Sequence, residues 1–161
     1  KPVQTGRQLG VKETISLSKR FGFSGPFQET EDLYRGSLAV SPMELAAAAS
    51  VFANKGNKPD AFFIRKITGD NGQVLYENRP SNLQVITADV AAETLAAHKE
   101  MKGREGRVTS SATCRDVWGI RLGSQDVTVL WLGYDRSRKI GSAESVTKAI
   151  EKIMLQFSAS Q

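Results

Sequence analysis

The tightest constraint on this chain is a succession of three strand-like segments, about residues 107–112, 115–122 and 127–134, closed by one amphipathic helix. Gly123-Ser124 supplies the turn between the second and third segments. Ser142-Ala143-Glu144-Ser145 then opens a helix whose apolar stripe is Val146, Ala149, Ile150, Ile153, Met154 and Phe157. A sheet needs a cover for its apolar face. The pattern therefore predicts an α+β fold in which helices cover a three-stranded antiparallel meander.

The preceding residues supply more helices. Residues 11–22 read as one, with Val11, Ile15, Leu17 and Phe21 on its apolar face and Gly22 as C-cap. Ser24-Gly25-Pro26 breaks the chain, and residues 27–40 show no sustained periodicity. In Ser41-Pro42-Met43-Glu44, Ser41 caps a helix, Pro42 takes the first helical position and Glu44 completes a capping box. The alanine run that follows permits close packing, and the helix is expected to end near Asn54, before Gly56. Residues 61–77 read as a hairpin turning at Asp70-Asn71-Gly72. Residues 80–83 read as a linker. Thr87 opens a further helix, with Val90, Thr94, Leu95 and Met101 facing inward, and Lys102 to Gly106 forms a polar loop.

At 161 residues this fits one domain with a real core, helical over about 1–101 and closed by the sheet and last helix over about 106–158. The apolar run Val127–Leu132 is too short to cross a bilayer, so no transmembrane segment is expected. A net charge of +5 favours encounters with anionic polymers. The basic residues are scattered and do not alternate with aromatics, so no nucleic-acid partner is expected. Cys114 is the single cysteine and His98 the single histidine, which leaves no internal disulfide and no zinc set. No metal or cofactor is expected. Cys114 reads as a small hydrophobe beside a strand and His98 as solvent-exposed.

Several phrases resemble class A penicillin-binding proteins. Gly36-Ser37-Leu38-Ala39-Val40-Ser41-Pro42-Met43-Glu44-Leu45-Ala46, then Phe52-Ala53-Asn54-Lys55-Gly56, is similar to a helix of their transpeptidase domain. Asp70-Asn71-Gly72-Gln73-Val74-Leu75-Tyr76-Glu77 is similar to their hairpin. Arg115-Asp116-Val117-Trp118 and Trp131-Leu132-Gly133-Tyr134-Asp135 resemble the two strands after their third motif. These phrases occur in the family's order and cover almost the whole chain. The resemblance implies the C-terminal part of a transpeptidase domain, 1–161 being a single partial domain, and a place in the extracytoplasmic cell envelope.

The family's implied chemistry is acyl transfer on peptidoglycan stem peptides, by a serine in Ser-x-x-Lys assisted by Ser-x-Asn. A Lys-Thr-Gly strand helps bind the substrate carboxylate. Arg107, Val108 and Thr109 stand where that third motif is expected. Arg107 keeps a charge able to grip a carboxylate, Val108 loses the hydroxyl, and Thr109 fills space that glycine would leave for a ligand. Arg107, Thr109, Ser110 and Ser111 are therefore the candidate ligand-binding residues of a degenerate motif, beside the plainer reading of 107–112 as a sheet strand. No Ser-x-Asn occurs. Ser16-Leu17-Ser18-Lys19 and Ser145-Val146-Thr147-Lys148 match Ser-x-x-Lys, unsurprisingly in a chain of 15 serines and 11 lysines, and no residue is assigned a catalytic role. The matched region is expected to begin after the family's first two motifs.

Three functions fit. The first is a non-catalytic, transpeptidase-like part of a cell-envelope protein linked to peptidoglycan synthesis. The second is part of an active D,D-transpeptidase whose first two motifs lie upstream or in another chain. The third is a basic module binding an envelope protein or an anionic polymer. A three-stranded remnant also leaves an edge open to strand-mediated dimerisation.

Overall fold

The computed structural model describes residues 2–100, 106–110, 114–123 and 126–158. Helices α1 (Pro2–Leu9) and α2 (Val11–Phe21) precede a short 3-10 helix, Glu31–Arg35. Helix α3 (Pro42–Ala53) leads to strands β1 (Asn57–Pro59), β2 (Lys66–Thr68), β3 (Val74–Glu77) and β4 (Asn82–Gln84). After α4 (Ala88–Glu100) come β5 (Gly106–Ser110), β6 (Val117–Leu122), β7 (Val127–Leu132) and α5 (Ala143–Ser158).

The last three strands form the expected antiparallel meander in the order β5-β6-β7. Alternation along β6 sends Val117, Gly119 and Arg121 to one face and Trp118, Ile120 and Leu122 to the other. Helix α5 covers the first face, where Val117 joins Cys114, Val146, Ile150 and Met154 in a buried cluster. Of the anticipated α5 stripe, Val146, Ile150 and Met154 are buried, whereas Ala149 and Ile153 are exposed. The helix meets the sheet along a single four-residue-spaced line, so residues flanking that line stay wet. Contact is close: a Cβ at Gly119 would lie 2.8 Å from Ile150 Cγ2 and would collide with Met154 Sδ. Only glycine allows α5 to sit this near. The second face is met by α3, which contacts β7 and β6.

The start of α3 is as anticipated. Ser41 Oγ accepts from Glu44 N at 3.1 Å and Glu44 Oε2 accepts from Ser41 N at 2.8 Å, a complete capping box. Ala48, Ala49 and Val51 are buried. Gly22 ends α2 as expected, its N–H donating to the Lys19 carbonyl. No residue of α2 is fully buried, however, and Leu17 is exposed; the face is anchored mainly by Phe21, whose ring lies 5.6 Å from that of Phe52.

Four details correct the sequence reading. Residues 27–40 are not wholly irregular, since they contain the 3-10 helix. Residues 80–83 are not merely a linker, because Asn82–Gln84 pairs antiparallel with Asn57–Pro59. Gly56 organises that ladder at φ 88: its carbonyl accepts from Val85 N at 2.9 Å and Ile86 N at 3.3 Å, and a Cβ there would strike Ile86 O. The hairpin is shorter than residues 61–77, with strands only at 66–68 and 74–77 and a bulge between Ile67 and Thr68. On α4 the inward residue is Ala91, fully buried, while Val90 and Thr94 are exposed and Leu95 is half-buried. Met101, the loop at 102–105, Ser111, Ser124 and the side chains of His98 and Phe157 lie outside the described residues.

Candidate functional site

Strand β5 carries the residues expected to bind a ligand. Its register with β6 is Arg107↔Ile120, Val108↔Gly119, Thr109↔Trp118 and Ser110↔Val117. The side chains of Arg107, Val108, Thr109 and Ser110, and Ser111 as a whole, lie outside the described residues. On β6 itself, Trp118, Ile120 and Leu122 share the face away from α5. β5 is an outer strand of its sheet.

The same face floors a cleft of about 640 Å³ between Trp118 and Trp131 and the segment Arg35, Ser37, Leu38, Val40 and Pro42. Trp118 and Trp131 lie directly opposite each other, ring centroids 6.2 Å apart at 43°. They pack on each other as core residues would, yet Trp131 remains 37% exposed. The indole Nε1 of Trp131 donates to Asp116 Oδ1 at 3.2 Å, which ties Asp116, just before β6, to β7. The cleft wall from Arg35 to Val40 carried no periodicity from which its place over the tryptophans could be read, although Gly36–Val40 belongs to the family-like phrase.

Two further polar devices were not anticipated. Arg121, 6% exposed, pairs with Asp126 across the β6–β7 turn and donates to Thr128 Oγ1 at 3.3 Å. Glu44 also accepts from Ser24 Oγ at 2.6 Å and Ser24 N at 3.1 Å, tying the break after α2 to the start of α3. The Ser24 hydroxyl first, then the Ser41 and Ser24 donors, hold the Glu44 carboxyl down at about 2.

Comparison with known proteins places this geometry. No family model matches the chain. Penicillin-binding protein 2D of Bacillus subtilis is 30% identical over 166 residues, covering 91% of this chain and 24% of that protein. Penicillin-binding protein 1A of Aquifex aeolicus is 27% identical, covering 93% of this chain and 22% of that protein. The crystal structure of penicillin-binding protein 1A from Haemophilus influenzae superposes with a TM-score of 0.77 at 19% identity, over 88% of this chain and 29% of that one. The fold is the C-terminal part of a penicillin-binding transpeptidase domain. The chain spans about a quarter of the length of the curated relatives it matches.

Within this penicillin-binding fold, neither Ser-x-x-Lys match is set up as a nucleophile and base. Lys148 Nζ donates to Glu144 Oε1 at 2.7 Å, and Ser145 Oγ donates to the Ser142 carbonyl at 3.1 Å, so both are engaged at the helix start. Ser16 is exposed on α2, and Lys19 Nζ sits 5.7 Å from the centre of the Phe27 ring. A serine nucleophile needs a base within hydrogen-bond reach, and both lysines have other neighbours.

Proposed function

We propose that this chain is a non-catalytic, transpeptidase-like part of an extracytoplasmic cell-envelope protein linked to peptidoglycan synthesis. The observation that carries the reading is the third-motif strand: Arg107, Val108 and Thr109 stand in register on β5 where lysine, a hydroxyl residue and glycine are expected. A guanidinium is always charged, so it binds carboxylates and does not act as a base. Arg107 is the proposed anchor for an anionic group, and Thr109, Ser110 and Ser111 complete the proposed set. Peptidoglycan and other envelope proteins are the proposed partners.

Fluorescent penicillin tests this reading. No covalent label is expected on the 161-residue chain; acylation of any serine overturns it. A polypeptide that also holds Ser-x-x-Lys and Ser-x-Asn, upstream or in a second chain, and labels with penicillin would establish the active-enzyme reading instead.

One observation favours self-association as well. β7 is the other outer strand of the sheet, with six residues from Val127 to Leu132 half-buried or exposed, including Trp131 and Leu132. A long apolar edge invites pairing with another strand. Sedimentation equilibrium of the chain is expected to show a dimer that Val129→Pro abolishes; a monomer at all concentrations removes this reading.

A further inference from the structure

Among the described residues, one contiguous apolar surface is left in the open beside the hairpin. Strands β2 and β3 pair with each other, and the segment before them carries three consecutive apolar residues in the open. Phe62 is 43% exposed, Phe63 88% and Ile64 54%. They lie along the Ile67 and Tyr76 side of the hairpin, which is also exposed, and together the five residues line one shallow apolar surface. Contiguous exposed apolar surface of this kind marks an interaction site more often than a scattered residue does.

The chemistry around the surface indicates what covers it. Arg65 and Lys66 immediately follow Ile64 and are exposed, as is Arg79 beyond β3. Lys58 stands at the base of the segment. Of the carboxylates nearby, Asp60 is engaged by Ser81 N at 2.9 Å and Ser81 Oγ at 2.7 Å, and Glu77 is opposite Lys66 in the ladder. Aromatic and aliphatic residues exposed along the stem of the hairpin, with cations next to them, match the layering of a bilayer surface. The apolar groups enter below the headgroups while guanidinium and ammonium groups stay at phosphate depth.

We propose that the exposed Phe62–Ile64 segment, on the stem side of the hairpin, is a peripheral membrane-insertion site selective for anionic lipid. It does not span the bilayer, and no helix among the described residues is long and apolar enough to do so. The inference does not depend on the proposed third-motif ligand or on loss of catalysis.

The test is co-sedimentation of the 161-residue chain with vesicles of phosphatidylglycerol and phosphatidylcholine, against vesicles of phosphatidylcholine alone. Binding to the anionic vesicles is expected to exceed binding to the neutral ones by about tenfold. Phe63→Asp is expected to reduce it about tenfold or more. The double substitution Arg65→Glu, Lys66→Glu is expected to remove the anionic preference while leaving the segment apolar. Far-ultraviolet circular dichroism checks that each variant keeps its fold, and Ile64→Ser supplies a second variant of the segment should Phe63→Asp fail that check. Absence of vesicle binding, or binding indifferent to both Phe63→Asp and Ile64→Ser, overturns the proposal. Concentration-dependent self-association that Phe63→Asp abolishes, without vesicle binding, overturns it in favour of a second copy of the chain.

Discussion

Met154 of α5 rests directly on Gly119 of β6, with Ile150 beside it, so that side chains of the closing helix lie against the bare backbone of the central strand. Gly119→Ala inserts a methyl group into a filled space. Overpacking of this kind costs about 1–3 kcal/mol, read as a lower urea midpoint. Adding Met154→Ala is expected to return part of that loss, because the cavity it opens accepts the new methyl. An unchanged midpoint for Gly119→Ala means that α5 does not sit on β6 in solution.

The Glu44 carboxylate gathers four donors from Ser24 and Ser41, and its folded value near 2 lies below the ordinary 4.5. The stabilisation it gives is therefore complete above about pH 4.5 and fades as pH falls toward about 2. Glu44→Gln is expected to cost about 1 kcal/mol at pH 7, the usual scale of a helix cap. It should also flatten the fall in stability between pH 5 and about 2. Urea unfolding at pH 7 and pH 3 checks both; equal pH slopes for the two proteins contradict the assignment.

Arg121 and Asp126 differ in how they are buried, the arginine side chain being 7% exposed and the aspartate 32%. Removing the carboxylate strands a buried cation, and Asp126→Asn is expected to cost about 2–3 kcal/mol. Arg121→Met removes the charge and keeps much of the volume, so its cost should be smaller. Chemical denaturation of the two variants decides; a larger loss for Arg121→Met reverses the argument.

Arg107 carries the anionic-ligand proposal. If it anchors a carboxylate, Arg107→Ala weakens binding of an acyl-D-alanyl-D-alanine peptide by about tenfold or more, the scale of one charge-assisted hydrogen bond. Titration calorimetry reads the change, and an unchanged affinity would place the ligand elsewhere.

Much of this was legible because local chemistry and tertiary structure agree. Ser41, Pro42 and Glu44 specify a helix start whatever surrounds them, and the period of Val146, Ile150 and Met154 records one buried line. The β1–β4 ladder was not legible: three-residue strands carry no period, and their partnership depends on Gly56 meeting Val85 across the chain. Val90 was misplaced for a related reason. Its bulk suggested the interior, but close helix packing selected the smaller Ala91 next to it. In the candidate site, residue identities on β5 were readable, but the pairing of β5 with β6 emerged only from the structure. The wall of the Trp118–Trp131 cleft was readable as a family-like phrase from Gly36 onward, but its placement over the tryptophans was not.

The β1–β4 ladder has a consequence for how this architecture tolerates change. It fastens both ends of residues 60–81 together, and Gly56, Val85 and Ala91 hold that junction to the helices. Whatever lies beyond the clasp is mechanically an appendage. Loop closure cost grows only slowly with length, so a longer excursion, or a short turn spliced between Pro59 and Asn82, should leave the helical layer and the meander folding as before. The hairpin is thus a replaceable cassette, free to acquire or lose a binding task without renegotiating the core.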